Sequence, residues 1–254
     1  MDAAVSSQLD VHKDFGGVIP EVASRIHVEN ISMVIEETLH KANMKVEDVD
    51  AIAVTQGPGL VGSLHVGVQA AKTLAWAYNK PLVPVHHIAG HIYANQLITE
   101  LKFPLFALVV SGGHTELVYM KDEWSFEILG TTQDDAIGEA GDKVGRVLGL
   151  PYPGGVYVDK IAKDGKPIYS LAKPKTENEL DFSFSGLKSS VLQFIDRCKR
   201  KNETFRPEDL AASYQETAFE TLLSRAKIAI EKYNPKQMVL AGGVAANSCL
   251  RSKI

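Results

Sequence analysis

The chain has 254 residues, with 27 Lys and Arg against 31 Asp and Glu for a net charge of −4, and it is 45% hydrophobic and 23% charged. That composition provides the apolar mass of a real core, at about 1.7 domains of ~150 residues. It also argues against disorder and against a strongly basic nucleic-acid binder. Three further classes fall away: the longest apolar run is Leu105 to Val110, far below the ~18 residues of a membrane span; the polar start does not read as a signal peptide; and Cys198 and Cys249 are too few for a disulfide scaffold or a cysteine metal site.

Val5 to Val11 has strand character. Pro20 opens a helical pattern carried by Val22, Ile26, Val34, Ile35 and Leu39. A short strand is expected over 50–55, followed by the Gly57-Pro-Gly59 turn, a helix over 66–78 and a strand over 81–85. This is a βαβ rhythm. A helix is expected over 88–101. Residues 106–110 and 116–120 then flank Ser111-Gly-Gly-His-Thr115 as a hairpin, and 126–129 extend it. From Asp134 the pattern turns helical and stops at Gly149 and Pro151. Long helices over 184–200 and 207–232, a buried strand over 237–241 and a final helix over 245–254 complete the chain. A last helix of roughly ten residues is marginal alone, and the chain reads as a fragment incomplete at both ends.

His86, His87, His91 and His114 fall close together. His87 and His91 are four residues apart on an expected helix, so they share a face and can grip one metal ion; the bland alternative is a pair of half-exposed helix histidines. Ile88 stands where a zinc protease of the H-E-x-x-H type needs its glutamate, which disfavours that chemistry. Gly57-Pro-Gly59, Gly112-Gly113 and Gly242-Gly243 each follow a strand, and such turns let backbone N–H groups approach an anion. None matches the dinucleotide or P-loop pattern; together they suggest a nucleotide held by several loops. Asp135, Glu139 and Asp142 share a face by spacing, and carboxylates accept from ribose hydroxyls. Asp134 and Asp135 read better as acidic residues complementing the dipole of the helix that follows. The basic run Arg197, Lys199, Arg200 and Lys201 reads as a solvated helix end, with RNA contact as the alternative.

Eight segments in order carry a resemblance: Gly16-Gly-Val-Ile-Pro-Glu-Val-Ala-Ser-Arg25, Gly57-Pro-Gly-Leu-Val-Gly62, Val85-His-His-Ile-Ala-Gly-His91, Val110-Ser-Gly-Gly-His-Thr115, Asp135-Ala-Ile-Gly-Glu-Ala-Gly-Asp-Lys143, Tyr152-Pro-Gly-Gly155, Asp181-Phe-Ser-Phe-Ser-Gly-Leu-Lys188 and Ala241-Gly-Gly-Val-Ala-Ala-Asn247. Over essentially its whole length the chain resembles the TsaD family, the tRNA adenosine threonylcarbamoyltransferases, in a bacterial style. The resemblance implies an α/β, actin-like and Hsp70-like duplicated fold with a cleft between two lobes, here residues 1–103 and 104–254. It implies transfer of threonylcarbamoyl from threonylcarbamoyl-adenylate to the N6 amine of an anticodon-loop adenosine in tRNA, in the cytoplasm. By motif, His87 and His91 would ligate iron or zinc. Val109, Val110, Ser111, Gly112 and Gly113 would wrap the phosphate and acyl part, Asp142, Gly155 and Asp159 would bind the nucleoside, and Asn247 would lie in the adenosine motif. A TsaB-like paralogue and a TsaE-like ATPase are the implied partners.

The chain departs from the family pattern in three places. It starts after the family's opening strand and acidic loop, and it stops before the Asp-Asn-Gly segment whose aspartate is the third metal ligand. His65 stands where an aliphatic residue is usual. Because a catalytic metal site usually takes three protein ligands, the chain as written is expected to be inactive or nearly so. Three rivals are weighed. An actin-like kinase or ATPase, and a non-catalytic scaffold paralogue, both leave the histidine pair without a purpose; a metallopeptidase is disfavoured by Ile88.

Overall fold

The computed structural model describes residues 2–254, which divide into two compact units, one ending at Gly90 and the other His91–Ile254. In the first unit, α1 (Leu9–Phe15) and α2 (Pro20–Ala42) precede β1 (Ile52–Gly57), α3 (Val61–Ala77) and β2 (Leu82–His86). β2 runs parallel to β1, and α3, which connects them, packs on β1. That is the expected βαβ unit, in which a parallel pair requires a crossover. α2 lies along α3, where a Cβ on Gly62 would stand 2.3 Å from Ser24 Oγ. The helix α4 (His87–Tyr93) follows β2 directly and spans the division between the units.

The second unit is built on a four-stranded sheet in the order β5-β4-β3-β6, from β3 (Leu105–Val110), β4 (Thr115–Met120), β5 (Glu127–Thr131) and β6 (Gln237–Ala241). β3 pairs antiparallel with β4 and parallel with β6, and all six of its residues are buried. A strand covered on both faces reads as a continuous apolar run, which is why Leu-Phe-Ala-Leu-Val-Val stands out in the sequence. Beside the sheet lie α5 (Ile137–Val147), α6 (Gly154–Ala162), α7 (Ser185–Lys201) and α8 (Pro207–Tyr233), with α9 (Ser248–Lys253) last. α6 packs on both α5 and α8. The core gathers Phe106, Leu108, Phe182, Phe184, Leu187 and Leu222, all fully buried.

α8 buries polar residues in its middle. The hydroxyls of Ser213, Thr217 and Thr221 donate to the carbonyls four residues earlier, at 2.6, 2.9 and 2.8 Å. Those bonds satisfy groups that would otherwise be costly inside a core. α2, α7 and α8 each end on an asparagine in the left-handed region (Asn43, Asn202 and Asn234), the residue other than glycine that tolerates this cap.

Three expectations are corrected and one helix is added. Val5 to Val11 forms no strand: α1 starts at Leu9, and the buried His12 imidazole approaches the Gln8 amide oxygen and the Ile19 N–H. The helix expected over 88–101 ends at Tyr93 and passes into a 3-10 turn, Ala94–Leu97, whose close has the N–H groups of both Ile98 and Thr99 donating to the Asn95 carbonyl. α5 begins at Ile137, not Asp134, and its Ile137 N–H donates to Thr115 Oγ1 at 2.9 Å. α6 was not expected at all. It opens on two glycines after Pro153, which locally read as a turn.

Candidate functional site

α5 and α6 cross through glycine. A Cβ on Gly145 would lie 2.5 Å from the Gly154 Cα, and one on Gly154 would lie 2.7 Å from the Asp142 carbonyl oxygen. Only bare backbones approach this closely. The crossing delivers the Gly155 N–H to Asp142 Oδ1 at 2.8 Å and turns Asp159 inward on the same helix. A second close approach sits at the end of β6. Gly242 has φ +93, and a Cβ there would meet the Val110 carbonyl oxygen at 2.2 Å. Glycine thus seats the 242–247 loop against the end of β3.

These two contacts open a cleft of about 390 Å³ within the second unit. Gly112, Asp142, Gly155, Asp159 and Asn247 all line it, drawn from four separate stretches of chain, with Gly155 and Asp159 sharing α6. The remaining expected loop residues are placed differently. Val109 and Val110 are wholly buried in β3, within the sheet, and do not line the cleft. Ser111 closes the hairpin: its N–H donates to the His114 carbonyl at 2.8 Å, and its Oγ accepts the His114 N–H at 3.0 Å. Gly112 and Gly113 are exposed with open space beside them.

The polar groups of the cleft are held by their own hydrogen bonds. Asp159 accepts from the Ser248 N–H and Oγ at 3.1 and 2.9 Å and from the Gln215 amide at 3.2 Å. It thereby caps α9 together with Asn247, whose side-chain oxygen accepts the Leu250 N–H at 3.1 Å. Burial pushes the Asp142 carboxyl above the ordinary carboxylate range; the Gly155 N–H and the Arg146 charge oppose that shift. Tyr214, from α8, reaches the cleft with its hydroxyl buried and unmatched by any protein partner. Its phenol is pushed far up, first by burial and then by the charges of Asp142 and Asp135.

Sequence reasoning passed over Gly138, Gly141, Tyr214 and Gln215, which also line the cleft. A signal for the glycines exists: Gly138, Gly141 and Gly145 recur at three- and four-residue spacing on one helix face, opposite the Gly154-Gly155 pair. For Tyr214 and Gln215 there was none, because polar residues in a long helix read as its solvated side.

His87 and His91 lie one turn apart on α4, as the spacing required. His86 is engaged at the start of the same helix, where its Nδ1 accepts the Ala89 N–H at 3.4 Å. Among the described residues no three His, Cys, Asp or Glu side chains gather as a metal site. Two imidazoles by themselves supply at most part of a coordination sphere, since a catalytic metal site usually takes three protein ligands. The three acidic residues expected on one face are divided. Lys143 bridges Asp135 and Glu139 at 2.5 and 2.8 Å, while Asp142 alone turns to the cleft.

A family model described as TsaD, tRNA N6-adenosine threonylcarbamoyltransferase, matches residues 1–254. A tRNA N6-adenosine threonylcarbamoyltransferase of Anoxybacillus flavithermus is 58% identical over 251 residues, which cover 98% of this chain and 74% of that relative. One from Staphylococcus carnosus is 57% identical, with 98% and 73% covered. Among solved structures, HypF of T. kodakarensis matches with a TM-score of 0.63 at 15% identity, over 86% of this chain and 38% of that one. Component A of the Acidaminococcus fermentans (R)-2-hydroxyglutaryl-CoA dehydratase matches at 0.50 and 15% identity, over 87% and 71%. At such identities the likeness is one of fold alone, and it agrees with the actin-like α/β class expected from the motifs.

Proposed function

Because the chain belongs to the TsaD family of tRNA N6-adenosine threonylcarbamoyltransferases, we propose that the cleft of its second unit holds the adenylate end of threonylcarbamoyl-adenylate. The chain is a transferase of tRNA processing; the ligand, the residue roles and the partners are the proposal. The observation that carries it is convergence. Gly112, Asp142, Gly155, Asp159 and Asn247, from four separate stretches of chain, line one cleft.

In this reading Asp142 accepts from a ribose hydroxyl, while the Gly155 N–H keeps its carboxylate in place. Asp159 and Asn247 hold the 242–247 loop and the start of α9 against the nucleoside. The 109–113 loop offers backbone to the phosphate and acyl part. Val109 and Val110 contribute no side chain there, and the Ser111 N–H is already bonded, which leaves Gly112 and Gly113 to meet the anion. Alignment matters more than nucleophilic catalysis here, because a mixed anhydride already carries a good leaving group. The adenosine amine attacks the carbamoyl carbonyl and a C–N bond forms. The bond from that carbon to the phosphate oxygen breaks, AMP leaves with the electron pair, and the amine gives up one proton. Iron or zinc, held in part by His87 and His91, would supply Lewis-acid polarisation of that carbonyl.

The acceptor implied by the family is tRNA. A TsaB-like paralogue and a TsaE-like ATPase are proposed partners on family grounds, and the cytoplasm is the proposed compartment for a tRNA substrate. No helix among the described residues is long and apolar enough to cross a membrane. The test is calorimetric titration of the purified chain with AMP. Gly155→Val, which adds a branched side chain to the cleft lining, is expected to weaken AMP by at least about tenfold while circular dichroism stays unchanged. Equal affinity in both proteins would overturn the cleft assignment.

A further inference from the structure

Tyr214 is 3% exposed and lines the cleft, yet its hydroxyl finds no hydrogen-bond partner in the protein. The neighbouring polar groups are committed, Asp159 to Ser248 and Gln215, and Asn247 to Leu250. Phenylalanine would pack in the same space without leaving a buried hydroxyl unsatisfied, and an unsatisfied hydroxyl weakens a fold. Gly141 keeps a side chain away from that buried hydroxyl: a methyl group there would stand 3.8 Å from Tyr214 Oη, in van der Waals contact with it, and 3.3 Å from the Gly155 Cα. The next residue is Asp142, whose charge acts on the Tyr214 phenol although the two are not bonded. A donor and an acceptor therefore flank the same stretch of cleft without satisfying each other. A hydroxyl is the ligand group that uses both, accepting from the phenol and donating to the carboxylate.

We propose that Tyr214 sets ribose specificity in this cleft, its hydroxyl donating to one ribose hydroxyl of the bound adenylate while Asp142 accepts from that same hydroxyl. The proposal rests on the adenylate reading given above. Tyr214 is then a binding residue, and it explains why a polar aromatic side chain occupies the buried face of α8.

The experiment titrates AMP, 2′-deoxy-AMP and 3′-deoxy-AMP into the wild-type chain and into Tyr214→Phe. The wild type is expected to prefer AMP over one deoxy analogue by at least about threefold, the scale of one neutral hydrogen bond. Tyr214→Phe reduces that preference, Asp142 still accepting from the hydroxyl, and binds the same analogue as the wild type does. Its thermal midpoint without ligand is expected to equal or exceed that of the wild type, since a buried unsatisfied group is removed. An unchanged preference overturns the proposal, as does an equal loss for all three ligands. A lowered midpoint would assign the hydroxyl to the protein's own structure and overturn it too. Failure of the wild type to bind AMP at all would overturn the adenylate reading, and the tyrosine proposal with it.

Discussion

Asp142 lines the cleft at a cost to the fold. Its folded-state pKa is raised, chiefly by burial, against the lowering effect of the Gly155 N–H. A carboxyl raised on folding is ionised at a cost, and that cost grows as pH rises from the ordinary aspartate range through the raised value. Asp142→Asn keeps an oxygen for the Gly155 N–H and removes the buried charge. It is therefore expected to raise the thermal midpoint near neutral pH, with the gain shrinking below about pH 4, where aspartate itself is neutral. The same variant is expected to bind AMP more weakly, because a charge-assisted acceptor is lost. A gain that persists undiminished into acid would show that the charge is not its source. Its neighbour Asp134 corrects the sequence reading in an instructive way. The carboxylate does not serve the dipole of α5. It accepts from the hydroxyls of Ser183 and Ser185 and from the N–H groups of Phe184 and Ser185, and so caps α7 fifty residues along the chain. Burial works to raise its pKa, and those bonds outweigh it, so the carboxyl is held below its usual range. An acidic residue before a helical pattern looks the same in sequence whichever helix it caps.

Among elements, the crossing of α5 and α6 decides whether the cleft forms. Gly145 meets the Gly154 backbone, which has no flexible side chain to yield, so Gly145→Ala must push the helices apart. Overpacking of this kind costs about 1–3 kcal/mol, or a fall of a few degrees in midpoint for a chain of this size. The displacement carries Gly155 and Asp159 with it, so AMP affinity is expected to fall as well. Gly186, in the first turn of α7, has nothing within 4 Å of where its Cβ would be. Gly186→Ala is the control, expected to be neutral or stabilising by up to about 1 kcal/mol from helix propensity. Similar midpoints for the two variants would refute the steric account. The long elements were legible from their periodicity and boundaries: β6 spans Gln237–Ala241 and α8 spans Pro207–Tyr233, close to where the pattern put them. α6 was not legible, because Gly-Gly after proline favours a turn locally, and only packing on α5 and α8 compensates for two poor helix formers.

For the whole molecule, the histidine pair is the question that the packing of the second unit does not answer. Elemental analysis of the purified chain is expected to find iron or zinc, lost in the His87→Ala/His91→Ala variant. Metal absent from both proteins would overturn the assignment of these imidazoles as ligands in this chain, leaving family membership untouched. The sequence by itself determined that membership, the strand and helix order apart from α1 and α6, the spacing of His87 and His91 on one helix, and the identity of five residues that line the cleft. All of these follow from ordered motifs or from local periodicity, which a linear chain records directly. Tertiary structure alone decided that Asp134 caps α7, that Asp142 parts from Asp135 and Glu139, and that Tyr214 lines the cleft with a buried, unmatched hydroxyl. Partners distant along the chain leave no periodic trace, and a polar side chain on a long helix has the same letter whether it meets solvent or a ligand. Burial and close backbone approach separate those cases, and both are properties of the packed chain.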